Sequence, residues 1–528
     1  MKRLKIKLTA LLAVGAMALS LAACGGGQPD ASARPAQSSS PVQSGQPQRP
    51  GDGQMPGGMM PGQSSEVDLS NIGTDLPNVE YTEQDLSGDW GESAKEIALG
   101  NEDVTITKGG AYILSGTLAD GQILVDADED EVQIVLNGAD ITNSDGPALY
   151  VKKAGKVYIT LVGGTVNTLS DGASYQVEGD ENEPDACVFS KADLTINGSG
   201  NLTVNGNYDG GIVTKDDLVV AGGTIRVTAL EDGVKGKDSV AVCGGSLTVE
   251  AGDDGVSASN DEDADKGWLS MDGGSLTVSV GGDGVHAEGA LVINGGVIHI
   301  LKSEEGLEGR SITLNGGDVV LTAADDGVNA AGGVGSVDSD SMQASPVNYI
   351  HVAGGSLWVN AGGDGIDANG ALLVEGGSVF VSQSGQADGA LDTGSGAVIT
   401  GGIVVAAGSS QMGQNFATAS TQRSFLYNFD SVCAAGTLLT VTAADGTEIV
   451  TFAPELDYQC VVVSTPELAD GTYTVSAGDR SGEITLAGMT ASNSGMMGAM
   501  GGGQRPQGMT PPTGEVSAGV TPPPEQGV

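Results

Sequence analysis

The sequence predicts an all-β fold, a parallel β-helix of about 22 residues per coil. Two markers repeat in phase along the chain of 528 residues. The first is an acidic residue followed by a small one, and its eight acid-Gly members, here called the acidic column, are Asp209, Asp232, Asp254, Asp283, Glu305, Asp326, Asp364 and Asp388. The second is Gly-Gly, which begins at residues 222, 244, 273, 295, 316, 354, 376 and 401. Successive acidic members lie 23, 22, 29, 22, 21, 38 and 24 residues apart, so one unit repeats with two insertions.

Each unit contains three short stretches that alternate apolar and polar residues, such as Val240-Ala241-Val242 and Leu247-Thr248-Val249. Such short strands gain a core only by stacking on copies of themselves. Neighbouring side chains of a strand point to opposite faces, which sends Val, Leu and Ile inward and Thr, Ser and charged residues outward. Equivalent residues then stack about 4.8 Å apart. The acidic column is therefore predicted to be a line of carboxylates along one edge.

Composition agrees with narrow coils and limits the partners. The chain has 86 Gly and only 4% aromatic residues, and a 22-residue period fits neither a coiled coil nor collagen. Its formal net charge of −46 repels nucleic acid and anionic lipid headgroups and favours cations. With three His and five scattered Cys, and no C-x-x-C pair, thiolate or imidazole metal sites are not expected.

The N-terminus predicts export and lipidation. Residues 1–23 have a basic start, an apolar run and a small-residue cleavage site that ends before Cys24, which resembles a bacterial lipoprotein signal peptide. In that interpretation Cys24 is lipidated and the chain sits on the extracellular face of the bacterial cell membrane. The alternative is an ordinary secretory signal with a chance Cys. No other segment has the roughly 18 consecutive apolar residues of a membrane span.

Four further regions follow in the sequence. Residues 24–87 are rich in Gly, Pro, Ser and Gln and predict a disordered tether. Residues 88–410 carry the strand rhythm and form the predicted β-helix, with polar insertions at about 170–185, 259–268 and 331–347. Residues 423–487 are richer in aromatic residues and predict a small C-terminal β unit, before a disordered tail over 490–528. The sequence leaves open whether Cys433 and Cys460 pair.

Several segments carry a family resemblance: Gly110-Ala111-Tyr112, Leu136-Asn137-Gly138-Ala139-Asp140, Gly146-Pro147-Ala148-Leu149-Tyr150 and Asn167-Thr168-Leu169-Ser170-Asp171-Gly172. With them, residues 88–485 resemble the carbohydrate-binding β-helix lipoprotein family. The resemblance implies a right-handed parallel β-helix similar to pectate lyases. It also implies bound calcium, and binding of cellulose or of acidic plant polysaccharides such as polygalacturonate. It supplies no catalytic motif.

The acidic column is predicted to bind Ca²⁺. Calcium takes six to eight oxygen ligands at about 2.4 Å, so carboxylates one coil apart can share an ion. Without a cation, neighbouring carboxylates repel by roughly 0.8 kcal/mol at 5 Å even in water. Two positions after each Gly runs a second column of polar residues, Ser257, His286, Glu308, Asn329, Asp367 and, in a shifted register, Asp392. The predicted calcium ligands are Glu231, Asp232, Asp253, Asp254, Asp283, Glu304, Glu305, Glu308, Asp325, Asp326, Asp364 and Asp367.

A structural interpretation of the column competes with the calcium interpretation. Asp and Gly form turns readily and need no metal to do so. Glu305 favours a role for charge, because Glu is a poor turn residue, while Asn, a good one, is absent from the column. Both interpretations remain open at this point.

The leading functional hypothesis is a surface-anchored, monomeric, non-catalytic binder of extracellular polysaccharide, with calcium bridging protein and sugar carboxylates. Trp268 is the candidate for stacking on a sugar ring, although a packing role is equally consistent. A first alternative is a calcium-dependent pectate-type lyase, whose base would come from Lys235, Lys237, Lys302 or Arg310. A second is a structural or adhesive surface protein in which calcium only adds rigidity.

Overall fold

A computed structural model describes residues 67–176, 183–336 and 344–493. The described chain is all-β apart from one short helix, and 36 of its strands join one large, mostly parallel sheet. The predicted signal peptide, the lipidated Cys24 and almost all of the predicted tail lie outside these residues. Within the described ranges, no helix is both long and apolar enough to cross a membrane.

The helix α1 is Glu83–Leu86. The strands of the first third are β1 Lys95–Leu99, β2 Val104–Ile106, β3 Gly110–Leu118, β4 Ile123–Asp126, β5 Glu131–Thr142, β6 Leu149–Lys153, β7 Lys156–Leu161, β8 Val166–Ser170, β9 Ala186–Ser190, β10 Asp193–Gly198, β11 Asn201–Asn205, β12 Gly210–Thr214, β13 Asp217–Val220 and β14 Thr224–Thr228.

The regular repeats continue through β15 Val234–Gly236, β16 Ser239–Val242, β17 Ser246–Glu250, β18 Val256–Ala258, β19 Trp268–Met271, β20 Ser275–Ser279, β21 Val285–Ile293, β22 Val297–Lys302, β23 Leu307–Leu314, β24 Asp318–Ala323, β25 Val328–Ala330, β26 Tyr349–Val352, β27 Ser356–Ala361, β28 Ile366–Ala368, β29 Ala371–Val374, β30 Ser378–Gln383, β31 Asp392–Thr393, β32 Gly396–Ile399 and β33 Ile403–Gly408. The C-terminal strands are β34 Ser424–Cys433, β35 Leu439–Ala443, β36 Glu448–Phe452, β37 Tyr458–Ser464, β38 Gly471–Ala477, β39 Arg480–Leu486 and β40 Thr490–Ser492.

Most strands of the repeats pair in parallel with the equivalent strand one repeat later. In the run that follows the acidic column, the register aligns Ile212, Val234, Val256, Val285, Leu307, Val328 and Ile366. The strands that precede and follow Gly-Gly form two further runs with the same period. The aligned apolar residues are buried and belong to one continuous core. The predicted alternation therefore places the core and the polar columns on opposite faces of the strands.

The two glycine markers have steric causes. A Cβ on Gly327, next to Asp326, would lie 2.2 Å from the buried Val359 side chain and 2.6 Å from the carbonyl oxygen of Gly365. Gly355, the second residue of a Gly-Gly pair, has a φ of +76°, which L side chains rarely adopt. The small residue is thus required by packing at one marker and by backbone conformation at the other.

The C-terminal strands continue the sheet and add another. Strand β37 pairs antiparallel with both β33 and β34, while β36, β35, β38 and β39 form a separate four-stranded antiparallel sheet. The aromatic residues of this region pack in a second core with Trp358 and Phe380 of the last repeats. Cys433 and Cys460 are both buried and are not bonded to each other.

Residues 67–87, the end of the predicted tether, differ from the prediction because they contact the repeats over most of their length. Asp85 forms an ion pair with Lys156 at 2.7 Å and accepts a hydrogen bond from Thr195 at 2.6 Å. Farther toward the N-terminus, Tyr81 donates to Asp272 and Asp75 accepts from Ser311.

We call residues 67–87 the strap. From residue 87 back to residue 67, their contacts move from early to late repeats. The apolar end of the strap packs on late repeats, where Val67, Leu69 and Ile72 contact Leu373, Val398 and Ala417. Composition did not predict the strap, because its anchors are isolated polar and apolar side chains rather than a continuous apolar run.

Candidate functional site

The acidic column forms a continuous line in the structure. Six of the eight Gly residues that follow an acidic residue donate their N–H to a main-chain carbonyl of the next repeat, as from Gly255 to Asp283 at 2.8 Å and from Gly327 to Asp364 at 2.8 Å. Equivalent acidic residues of adjacent repeats are therefore held one strand spacing apart. The register predicted from the two markers positions these carboxylates next to one another.

Several carboxylates of the column also bond to the backbone. Asp254 accepts the N–H of Asp283 at 2.9 Å, and Asp326 accepts the N–H of Asp364 at 2.6 Å. One oxygen of these side chains thus helps to join successive repeats. Glu305 departs from this pattern, since its Oε2 instead accepts a hydrogen bond from Asn329 at 2.9 Å.

The second column lies directly beside the acidic column. Strand pairing aligns Lys235, Ser257, His286, Glu308, Asn329, Asp367 and Asp392 in consecutive repeats. In the sequence, Asp392 is shifted because extra residues precede it. These residues lie outside strand β31, so strand pairing places Asp392 in register with the rest of the second column. Lys235 therefore continues the second column by one repeat.

Three groups of side chains offer ligand atoms that lie within 4.8 Å of one another, and each group joins residues of both columns. They are Asp254, Asp283 and His286; Asp283, Glu305 and Glu308; and Asp326, Asp364 and Asp367. Seven of the twelve predicted calcium ligands occur in these groups. His286 is the one member that was not among the predicted ligands.

The other five predicted ligands are not brought into these groups. Glu231, Asp253, Glu304 and Asp325 are exposed, and none of them belongs to the three groups. Asp232 is instead paired with the ammonium of Lys235 at 2.6 Å. Acidic pairs in sequence therefore overstate the number of carboxylates that converge.

Basic side chains distinguish the first two groups from the third. His286 Nδ1 lies 3.1 Å from Glu308, 3.4 Å from Asp283 and 3.5 Å from Asp254. Burial alone would lower the pKa of His286, but these carboxylates outweigh it and raise the pKa to about 11. Against the opposing effect of burial, hydrogen bonding to His286 holds the pKa of Asp283 below its usual value.

The third group, Asp326, Asp364 and Asp367, has no ion pair with a basic side chain in the described parts of the chain. Burial raises the pKa of Asp364 to about 7 and the pKa of Asp367 to about 8, and neighbouring carboxylates add to both shifts. Asn329 lies beside the group in the second column. Its Oδ1 is buried and has no hydrogen-bond partner among the described residues.

The residues predicted to stack on a sugar or to act as a base do not belong to the three groups. Trp268 is half-buried in β19 beside Ser239 and away from the acidic column. Arg310 is buried and paired with Asp75 of the strap at 2.9 Å. The pKa of Lys235 is raised by Asp232 even though burial opposes the shift, which is the opposite of what a general base requires. A shallow cavity of about 360 Å³ near Trp90 and Leu161 contains no member of either column.

Part of the chain is similar to known proteins. Residues 100–338 match the family described as carbohydrate-binding domain-containing proteins. A protein of Acetivibrio thermocellus with the same description is 46% identical over 135 residues, which cover 25% of this chain and 47% of that protein. The chain thus spans about half the length of the curated relative that it matches.

A solved structure is also similar. It is described as the polysaccharide lyase-like protein from C. thermocellum, a gadolinium derivative, and is 36% identical in sequence. The similarity covers 43% of this chain and 92% of that chain, with a TM-score of 0.38. Asp364 and Asp367 lie beyond residues 100–338, so the carbohydrate-binding domain match contains Asp326 but not the other two members of the third group.

Proposed function

We propose that this protein binds an acidic extracellular polysaccharide through Ca²⁺, without catalysing a reaction. The family description supports the ligand class. The observation that carries the calcium part is the group of Asp326, Asp364 and Asp367, three converging carboxylates with no basic partner in the described residues.

The donor set fits calcium. Three carboxylates supply hard oxygen ligands, and the partnerless Oδ1 of Asn329 adds a neutral one. When bound, Ca²⁺ would supply two positive charges and open coordination positions for sugar carboxylates. The four protein side chains would hold the ion. Burial, and then repulsion among the carboxylates, raises the pKa values of Asp364 and Asp367, and a bound ion would relieve that repulsion.

A cation is also needed on electrostatic grounds. A chain with a net charge of −46 repels a polyanion such as polygalacturonate. An ion shared between protein and sugar carboxylates converts that repulsion into attraction. We therefore favour an acidic glycan over cellulose, whose neutral chain would need exposed aromatic platforms.

The wider architecture is part of the proposal. Parallel pairing between equivalent strands of successive repeats supports a right-handed parallel β-helix of about 22 residues per coil. In that arrangement both columns lie along one edge and present several carboxylate groups to one extended polymer.

The test is retention on immobilised polygalacturonate with calcium, after chelation, and in two charge-matched variants. We expect retention with calcium, loss after chelation, and strong loss in Asp367→Asn. Asp318→Asn is the control, because Asp318 is exposed on β24 in another run and its loss removes the same charge. Retention that survives chelation would overturn the calcium bridge. Equal losses in the two variants would assign binding to overall charge.

The same assay tests the two alternatives. A lyase would release products with an unsaturated sugar end, which absorb ultraviolet light, during incubation with polygalacturonate. A purely structural role for calcium would raise the melting temperature without any retention. Lyase products are not expected, because two of the basic residues considered for catalysis, Lys235 and Arg310, are held in ion pairs.

We also propose that Cys24 anchors the chain by a lipid to the extracellular face of the membrane, as the N-terminal sequence predicts. Incorporation of a labelled fatty acid into the wild-type chain, and its absence in Cys24→Ala, would support the anchor. Equal labelling of both chains would contradict it.

A further inference from the structure

We propose that His286, Asp254, Asp283 and Glu308 form a site for a divalent transition-metal ion such as Zn²⁺, distinct from the calcium site. The inference does not depend on polysaccharide binding. It also runs against the expectation from composition, since three histidines in 528 residues gave no reason to expect an imidazole ligand.

The geometry suits a single ion. Nδ1 of His286 lies 3.1 Å, 3.4 Å and 3.5 Å from oxygens of Glu308, Asp283 and Asp254. With zinc–ligand bonds of 2.0–2.2 Å, the ligand atoms of a tetrahedral site lie about 3.3 Å apart. The distances from this nitrogen to the three oxygens are therefore those expected between ligand atoms of a first coordination shell.

The nitrogen selects the class of metal. Calcium and magnesium take oxygen ligands, whereas imidazole with carboxylates suits Zn²⁺ and its first-row neighbours. Every other metal-group member in either column offers oxygen. The imidazole of His286 thus distinguishes the proposed zinc site from the group around Asp367.

A second, independent observation comes from Ser257. It lies in register with His286 in the preceding repeat, and both flanking residues, Val256 and Ala258, point into the core. Its side chain therefore faces the second column, where it is only 3% exposed. Ser257 Oγ has no hydrogen-bond partner among the described residues. A buried hydroxyl in that position suits a ligand or a hydrogen-bond partner of a metal-bound water.

The surroundings of His286 can orient its ring and allow an ion to enter the site. Nε2 of His286, the nitrogen that faces away from the three oxygens, lies 3.7 Å from Glu288 Oε1. Carboxylates beside the second nitrogen commonly orient a metal-binding histidine. The side chain of His286 is 24% exposed and that of Glu308 is 23% exposed, so an ion can reach them from solvent.

The experiment measures Zn²⁺ binding to the metal-stripped full chain by calorimetry. We expect wild type to bind Zn²⁺ at this site and His286→Gln to bind it at least about 100-fold more weakly, since it loses a direct ligand. His299→Gln is the matched control, because His299 is exposed on another run and should leave the affinity unchanged. Asp367→Asn should also keep the zinc affinity while losing calcium affinity.

Unchanged zinc affinity in His286→Gln, or loss of zinc only in Asp367→Asn, would overturn the site. So would a failure of wild type to bind Zn²⁺, which would leave His286 as a protonated partner of the carboxylates. X-ray absorption of the zinc-loaded wild type needs no variant. It should report one nitrogen with oxygens around zinc, and a shell of oxygen alone would contradict the proposal.

Discussion

Two positions of the second column counter the charge of the acidic column in different ways. At the first, Lys235 supplies an internal ammonium 2.6 Å from Asp232. At the second, Asp367 occupies the equivalent position and adds a third carboxylate to Asp326 and Asp364. The backbone pairing is the same, so the residue at this one register position decides whether the positive charge is built in or must be bound.

His286 lies between these two positions and combines both properties. Its imidazolium can neutralise the surrounding carboxylates, as the ammonium of Lys235 does, while its nitrogen can also bind a metal ion. The repeats thus need not share one ligand. A column that is uniform in backbone geometry becomes a series of chemically different sites.

We expect the largest loss of stability from a substitution in the strap. This loss should not depend on calcium, so it serves as a reference. Asp85→Ala removes a buried carboxylate and leaves Lys156 without its partner. We expect the free energy of unfolding to fall by about 3–5 kcal/mol, equally with and without calcium. Urea unfolding in both conditions measures it. A loss that calcium restores would mean that the strap and the columns are coupled.

The next prediction makes the Asp367 position resemble the Lys235 position. Asp367→Lys places at this position the side-chain type found at Lys235 and should abolish stabilisation by calcium. For wild type that stabilisation should reach about 2.7 kcal/mol at a calcium concentration 100 times its Kd. Thermal unfolding across a calcium titration measures the difference. A variant that still responds like wild type would place the ion elsewhere.

The third prediction concerns pH. Burial raises the pKa of Glu305 to about 7 and that of Glu308 to about 8, as it does for Asp364 and Asp367. A carboxyl whose pKa is higher in the folded state stabilises the fold when protonated, so this stability is present below the unfolded pKa and is lost as pH rises through the folded value.

We therefore expect the calcium-free chain to lose stability between about pH 5 and pH 8, and calcium to restore it at the upper end. Chemical unfolding at several pH values, with and without calcium, measures the profile. Stability that rises steadily over this interval without calcium would contradict the assignment.

We expect the smallest loss of stability from a substitution of Lys235. Lys235→Met keeps the apolar stem but removes the ammonium, which leaves Asp232 beside the rest of the column. We expect a loss of about 1 kcal/mol without calcium, because the pair is partly exposed. Urea unfolding measures it, and Lys237→Met, a change at a nearby lysine, is the control. A loss of equal size in the control would remove the special role of Lys235.

The sequence predicted the periodic part of the molecule well because period and register are local properties. Acid-Gly and Gly-Gly aligned Asp326 with Asp364, and the offset of two residues after Gly aligned Asn329 with Asp367. The contacts of the strap could not be read in this way. Asp75 reaches Arg310 across more than 200 residues, and no pattern near Asp75 announces that partner.

Side-chain burial and pairing were the other limit. Asp325 and Asp326 look equivalent in sequence, but Asp325 is exposed, and only the half-buried Asp326 joins a carboxylate group. Lys235 was considered as a base because it is near the column in sequence. Its direct contact with Asp232 gives it a different role.

The most direct test of the calcium bridge is a calcium titration of the full chain with and without polygalacturonate. If one ion is shared by the Asp326, Asp364 and Asp367 group and the glycan, each ligand must strengthen binding of the other. We predict that polygalacturonate tightens the calcium affinity of wild type and leaves Asp367→Asn unaffected. An identical calcium affinity of wild type with and without the glycan would contradict the account.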